Sequence, residues 1–256
     1  PPLDLMRTEG IDVLEDWFRW AEEWSMLLRA YGGLGDGSRV LEIGCGLGRV
    51  AFPLRYVLLD GGSYDGFEIA REKVAWLQES FQPAHPNFRF RWADVHNAYY
   101  NPGGAVEASD FEFPYPAATF DVVFAASVFT HMLPGSLRRY VAEAARVLAP
   151  GGRCVFSFLL LDNYEPARRR PLGFARPGFA FDHRLDEHGD EFGYGVPENP
   201  EEMTAYRLAF VERLAGEVGL RLARDPLPGM WSGAFRSWVG SQDVLVLEHA
   251  EAPAPG

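Results

Sequence analysis

The stretch Glu42-Ile43-Gly44-Cys45-Gly46-Leu47-Gly48 sets an acid two residues ahead of three alternating glycines. Glycines so spaced let the backbone turn tightly and approach a ligand, and a following helix offers unsatisfied N–H groups to a carboxylate or phosphate. The chemistry implied is the holding of a nucleotide-like ligand. A dinucleotide fingerprint, G-x-G-x-x-G, would need a glycine where the chain has Arg49. A second candidate is His131, in Ser127-Val128-Phe129-Thr130-His131-Met132, because an imidazole titrates near neutrality and can accept a proton. His183 and His188 are weaker candidates of the same kind. Asp162-Asn163 offers oxygen ligands to a hard divalent ion, but such an ion wants more than one carboxylate and one amide.

These residues need elements to position them. Val40–Ile43 is an apolar run entering the glycine turn and reads as a buried strand. Strands over Tyr64–Phe67, Phe88–Trp92, Phe120–Ala126 and Cys154–Leu161 follow, the last after the turn Pro150-Gly151-Gly152, with helices over Ala70–Phe81 and Ser136–Leu148 between them. Strand and helix in alternation predict a parallel sheet covered on both faces, with ligands at the carboxyl ends of the strands. By that rule His131, just beyond the fourth strand, faces the cleft. Ahead of the sheet, Leu14, Trp17, Phe18, Ala21, Trp24 and Leu28 recur at helical spacing and predict an amphipathic helix over Asp12–Tyr31, stopped by Gly32 and Gly33. After it, positions 162–200 lose all period. A helix over Glu201–Gly216 and strands at Leu220–Leu222 and Val244–Glu248 complete the chain.

The glycine motif, E-x-G-x-G-x-G, resembles motif I of the class I S-adenosylmethionine-dependent methyltransferases. The resemblance extends in order through Gly66-Phe67-Glu68, Ala93-Asp94-Val95, FDVVFAASVFTHML and RVLAPGGRCVFSF, covering Arg39 to Phe158. It implies S-adenosyl-L-methionine as cofactor. Glu42 belongs to the motif, Gly44, Gly46 and Gly48 would cradle the methionine end, Glu68 would accept hydrogen bonds from the ribose hydroxyls, and Asp94 would face the adenine amino group. Read alone, Glu42 could instead cap the turn's amides, and Asp94 could be a solvated loop residue.

The resemblance also implies an α/β, Rossmann-like, doubly wound sheet of seven strands, parallel except for the last. One domain is expected over 1–251, with an N-terminal helical cap (1–33), a substrate-side insertion after the fifth strand (162–200) and a disordered tail (252–256). The reaction expected is methyl transfer to a small-molecule acceptor, foremost a hydroxyl of a sugar or secondary metabolite, with His131 positioning or deprotonating it. Asn97 to Gly103 (NAYYNPG), SVFTHML and FSFLLLD look like a subgroup of bacterial methyltransferases often encoded with glycan or natural-product enzymes. Nitrogen or carbon methylation, a nicotinamide oxidoreductase and a non-catalytic S-adenosylmethionine-binding module remain as alternatives. Asp162-Asn163 resembles part of the magnesium site of catechol-type O-methyltransferases. The aspartate those enzymes carry after the fourth strand is absent, where this chain has Ala125, Ala126 and Ser127, and no metal is expected.

Aromatic rings outside the sheet are the expected walls of the acceptor pocket. Phe181, Trp231 and Trp238 lead, with Phe174, Phe179, Tyr194, Phe235 and Arg236 as further members, while Trp17 and Trp24, on the helix's apolar face, read first as core and second as pocket walls. A net charge of -12 argues against nucleic acid and anionic membranes as partners, the run Arg168-Arg169-Arg170 reading as a solvated loop. Cys45 and Cys154 lack metal or C-x-x-C spacing and read as reduced core thiols. With no apolar run long enough to span a membrane and no leader pattern, a cytoplasmic protein is expected.

Overall fold

The structure is a computed structural model and describes residues 1–59, 61–164, 181–235 and 237–250. In chain order the regular elements are α1 (Leu3–Arg7), α2 (Leu14–Ala30), β1 (Arg39–Ile43), α3 (Ala51–Leu54), β2 (Ser63–Glu68), α4 (Arg71–Ser80), β3 (Phe88–Trp92), β4 (Val95–His96), β5 (Val106–Glu107), β6 (Phe120–Ala125), α5 (Pro134–Val147), β7 (Leu148–Phe158), β8 (Phe192–Tyr194), β9 (Thr204–Tyr206), α6 (Leu208–Glu217), β10 (Leu220–Leu222) and β11 (Asp243–His249). Seven strands form one sheet in the order β10-β11-β7-β6-β1-β2-β3. The last strand, β11, runs antiparallel to both of its neighbours, while β7, β6, β1, β2 and β3 are mutually parallel.

Strand alternation splits the core in two. Leu41 and Ile43 of β1 and Val123 and Ala125 of β6 face a layer that holds α5 and α6, while Val40, Val122 and Phe124 face α2 and α4. Trp17 and Trp24 of α2 are core residues: Trp17 meets Phe52 edge-on at 5.3 Å, and Trp24 stacks on Phe124 at 5.7 Å. Phe18, on the expected apolar face, is instead exposed. At the β2–β3 edge the carboxylate of Asp65 accepts two hydrogen bonds from the Arg89 guanidinium, at 3.2 and 3.1 Å, across paired positions.

Three local expectations change. The helix after the glycine turn is the four-residue α3, too short to present a long row of free amides. The helix expected over Glu201–Gly216 begins only at Leu208: Pro200–Glu202 forms a single 3-10 turn and Thr204–Tyr206 becomes β9, pairing antiparallel with β8. Thr204 and Tyr206 are fully buried there, so tertiary packing overrides the helical pattern. The stretch 162–200 therefore contains a strand. Among the residues named from the sequence, Phe174, Phe179, Arg168 to Arg170, Arg236 and the tail lie outside the described residues.

Candidate active site

A cavity of about 450 Å³ opens at the carboxyl ends of β1, β2 and β6. The glycine turn forms one wall. Gly44, Gly46 and Gly48 all have positive φ, at 68°, 51° and 71°. Gly44 and Gly46 line the cavity, where an added Cβ would lie 2.6 Å from Val128 and 2.4 Å from Glu9. Gly48 packs away from it: its Cβ would lie 2.7 Å from a methyl of Leu77 on α4.

Around this turn lie acids. Glu42 is buried and accepts from the Tyr64 hydroxyl rather than from the turn's amides. Burial pushes its carboxyl well above the usual carboxylate range, against the opposing pull of that hydrogen bond and of the Arg49 charge. Glu68 accepts the Gly46 N–H on one oxygen at 2.9 Å, and the Ile69 and Ala70 N–H groups on the other at 2.8 and 2.9 Å. Three of a carboxylate's roughly four acceptor positions are thereby used, and one remains for a ligand hydroxyl. Asp94 does not line the cavity, whereas its neighbours Val95 and His96 do.

Opposite the glycine turn sits His131, in a 3-10 turn over Phe129–His131 whose carbonyls are held from outside. The Thr204 hydroxyl donates to the Phe129 carbonyl at 3.0 Å, the Asn97 amide to that of His131 at 3.0 Å, and the Tyr206 hydroxyl to that of Met132 at 2.6 Å. Asn97 also accepts the N–H groups of Tyr99 and Tyr100, which sets Tyr100 beside the imidazole. His131 Nδ1 lies 3.3 Å from the Glu201 carbonyl oxygen. A carbonyl can only accept, so Nδ1 carries the proton and Nε2, 3.5 Å from the Tyr100 hydroxyl, keeps its lone pair. Burial lowers the imidazole's pKa from its ordinary 6.5, outweighing the hydrogen bonds to backbone carbonyls.

Ser127, between β6 and this turn, holds a left-handed φ of 59° and lines the cavity, its N–H bound to the Ser157 hydroxyl at 2.8 Å. A non-glycine residue so strained persists where surrounding contacts enforce it, and such residues concentrate at functional sites.

Of the aromatics named from sequence, Trp24 lines the cavity from α2 and Trp231 lines it from the late loop. The Trp231 indole N–H donates to Asp243 at 2.6 Å, and the fully buried Phe181 braces it from behind at 5.9 Å. Trp238 is 42% exposed and does not reach the cavity wall. Asp162 accepts the Leu208 N–H at 2.7 Å, and Asn163 donates to Asp243 at 3.0 Å, so the two serve separate structural partners. Among the described residues no three His, Cys, Asp or Glu side chains gather as a metal site would need. Both cysteines are free and buried. No helix among the described residues is long and apolar enough to cross a membrane.

A Methyltransferase domain family profile matches residues 17–224, most of the chain, including the glycine turn, Glu68 and His131. The chain belongs to that family. Its cofactor is S-adenosyl-L-methionine, and the cavity fits it: two glycines leave room no side chain could share, Glu68 keeps an acceptor position, and the buried Arg49 Nε on the wall has no hydrogen-bond partner. Among curated relatives, the 27-O-demethylrifamycin SV methyltransferase of Amycolatopsis mediterranei (strain S699) is 32% identical over 127 residues, 49% of this chain and 40% of its own length. The O-methyltransferase resE of Aspergillus sclerotiorum is 26% identical over 201 residues, 73% of this chain and 68% of its own. This methyltransferase thus spans less than half the length of the first relative. The solved structure of the CcbJ methyltransferase of Streptomyces caelestis covers 90% of each chain at a TM-score of 0.55 and 20% identity, a likeness of fold alone.

Sequence reasoning passed over Asn97, Tyr100, Glu201 and Asp243 as site-building residues, since each acts through a contact with a distant segment. Only NAYYNPG, singled out as a run, marked two of them.

Proposed function

We propose that this methyltransferase moves the methyl group of S-adenosyl-L-methionine to a hydroxyl of a small molecule, a sugar or secondary metabolite, with His131 as the group that takes the hydroxyl proton. When bound, the cofactor supplies a methyl group already activated on a sulfonium. The chain's task is to align the acceptor, exclude water and receive a proton. The observation that carries the reading is the setting of His131: Nδ1 lies 3.3 Å from the Glu201 carbonyl, which assigns the proton to it, and Nε2, with only the Tyr100 hydroxyl at 3.5 Å, is the nitrogen that can accept a proton. The wall beside it is mostly apolar, with Met132, Leu159, Met203, Met230 and Trp231. Set among these, the buried Oε1 of Gln242 and the hydroxyl of Thr130 have no hydrogen-bond partner. They suit an acceptor that carries an apolar or ring body and more than one hydroxyl. That two relatives are named as O-methyltransferases supports oxygen as the receiving atom.

Asp94 is assigned to the adenine side through its place next to Val95, and Trp231 to the acceptor; Phe181 acts as its brace. A cytoplasmic location belongs to the same reading, supported by two free buried thiols. The test is transfer of a labelled methyl group to panels of sugars and phenolic or polyketide-like metabolites, with matched amines in parallel. Label on hydroxyl acceptors upholds the reading, and label on amines alone overturns it.

A further inference from the structure

The glycines were expected to cradle the cofactor's methionine end, with N–H groups of the following helix offered to its carboxylate. In the structure four of the turn's amides are taken. The Cys45 N–H bonds the Phe67 carbonyl at 3.0 Å, the Gly46 N–H bonds Glu68 at 2.9 Å, the Leu47 N–H bonds Glu9 at 2.9 Å and the Gly48 N–H bonds the Cys45 carbonyl at 2.8 Å. A carboxylate entering beside Gly44 and Gly46 would also meet an acidic wall that includes Glu9, Glu23, Glu42 and Glu68. An anion placed there needs a cation to hold it.

Two side chains of fixed positive charge are among the cavity's described lining residues, Arg49 and Lys73. Lys73 is buried and spent: its ammonium pairs with Glu9 at 3.3 Å. Arg49 is different. Its Nε is buried without a hydrogen-bond partner, and among the described residues it enters no ion pair. Its guanidinium lies over the ring of Trp20, 5.1 Å from the centroid. Glu42, the acid whose charge it feels, is already bonded to the Tyr64 hydroxyl. A guanidinium on the wall of a ligand cavity, with an unpartnered Nε donor and packed on an aromatic ring, suits a planar anion.

We propose that Arg49 anchors the α-carboxylate of S-adenosyl-L-methionine, so the residue that breaks the dinucleotide glycine pattern is itself the carboxylate-binding group. The inference concerns the cofactor and does not rest on the acceptor or on His131.

The test is calorimetric titration of S-adenosylhomocysteine and of methylthioadenosine, which keeps the adenosine and sulfur but lacks the amino-acid end. In Arg49→Gln, affinity for S-adenosylhomocysteine should fall roughly 10- to 100-fold, the scale of a lost charge-assisted pair. Affinity for methylthioadenosine should stay within about 2-fold. Arg49→Lys should recover part of the loss, since a point charge remains but the fork does not. Equal loss for both ligands would make Arg49 a support of the loop, and an unchanged S-adenosylhomocysteine affinity would remove it from the site; either result overturns the proposal. Should Arg49→Gln not fold, the wild-type protein decides with decarboxylated S-adenosylhomocysteine. Binding at least about 10-fold weaker than that of the parent compound upholds the anchor, and equal binding refutes it.

Discussion

The carboxylate of Asp243 accepts the indole N–H of Trp231 at 2.6 Å, and through it the first residue of the last strand sets a wall of the acceptor cavity. Asp243 is fully buried and also receives the N–H groups of Leu160 and Gly229 and the amide of Asn163, at 3.1, 2.8 and 3.0 Å. Burial raises its pKa, and these donors oppose the rise. One carboxylate thus ties β11, the end of β7 and the late loop into a unit.

Asp243→Asn should destabilise the fold by about 2–3 kcal/mol, because an amide NH2 would face donors where the carboxylate accepted. Urea unfolding measures it. In a double-mutant cycle with Trp231→Phe, a coupling of about 1–2 kcal/mol is expected, and additivity within error would mean the indole is positioned by other contacts.

Glu68→Ala should weaken S-adenosylhomocysteine binding by about 1–3 kcal/mol. It also frees the Gly46, Ile69 and Ala70 amides, so thermal stability should fall alongside. Calorimetry that finds affinity unchanged would place the ribose elsewhere.

His131→Ala should cut turnover by about 100-fold or more while leaving S-adenosylhomocysteine affinity within about 2-fold. A folded pKa held below the ordinary 6.5 keeps the imidazole neutral, so the acid limb of kcat/KM should fall below pH 6.5 in the wild type. The sign for stability follows: below that pH the unfolded chain binds the proton and the folded chain resists it, so this contribution to stability is present above 6.5 and is lost as pH falls from there through the lower, folded pKa. Identical rates and pH profiles in the variant would end the base assignment.

Gly48→Ala should cost about 1–3 kcal/mol, since alanine is strained at a φ of 71° and its methyl would press on Leu77 at 2.7 Å. Thermal unfolding reads the cost. A larger loss of cofactor affinity than of stability would show that Gly48 contacts the ligand rather than α4.

The sheet was legible in the sequence because it depends on short-range pattern. Apolar runs of strand length between helical periods specify a parallel sheet, and the glycine turn marks its ligand end. That is why Glu42, Gly44, Gly46, Glu68 and His131, all at or just past strand ends, were found by position and do line the cavity. Asp94 shares that placement but is not among the residues that line the cavity, where its neighbours Val95 and His96 are.

What only the tertiary structure decided is how distant segments complete the site. Met203-Thr204-Ala205-Tyr206 reads locally as helix, yet it becomes β9 because Thr204 and Tyr206 gain buried partners in the carbonyls of Phe129 and Met132. With the helix broken there, the Glu201 carbonyl reaches His131 and fixes its tautomer. Trp231 and Trp238 sit in the same Gly-rich stretch and are equivalent by composition, but only Trp231 lies within reach of Asp243, and only it faces the cavity. Arg49 registered in the sequence merely as an absent glycine. Its open guanidinium became visible once the fold had paired the neighbouring amides and Lys73 with other partners. Periodicity reports which face of an element is buried, whereas hydrogen-bond and charge partners between remote segments are chosen by three-dimensional proximity, which no local pattern encodes.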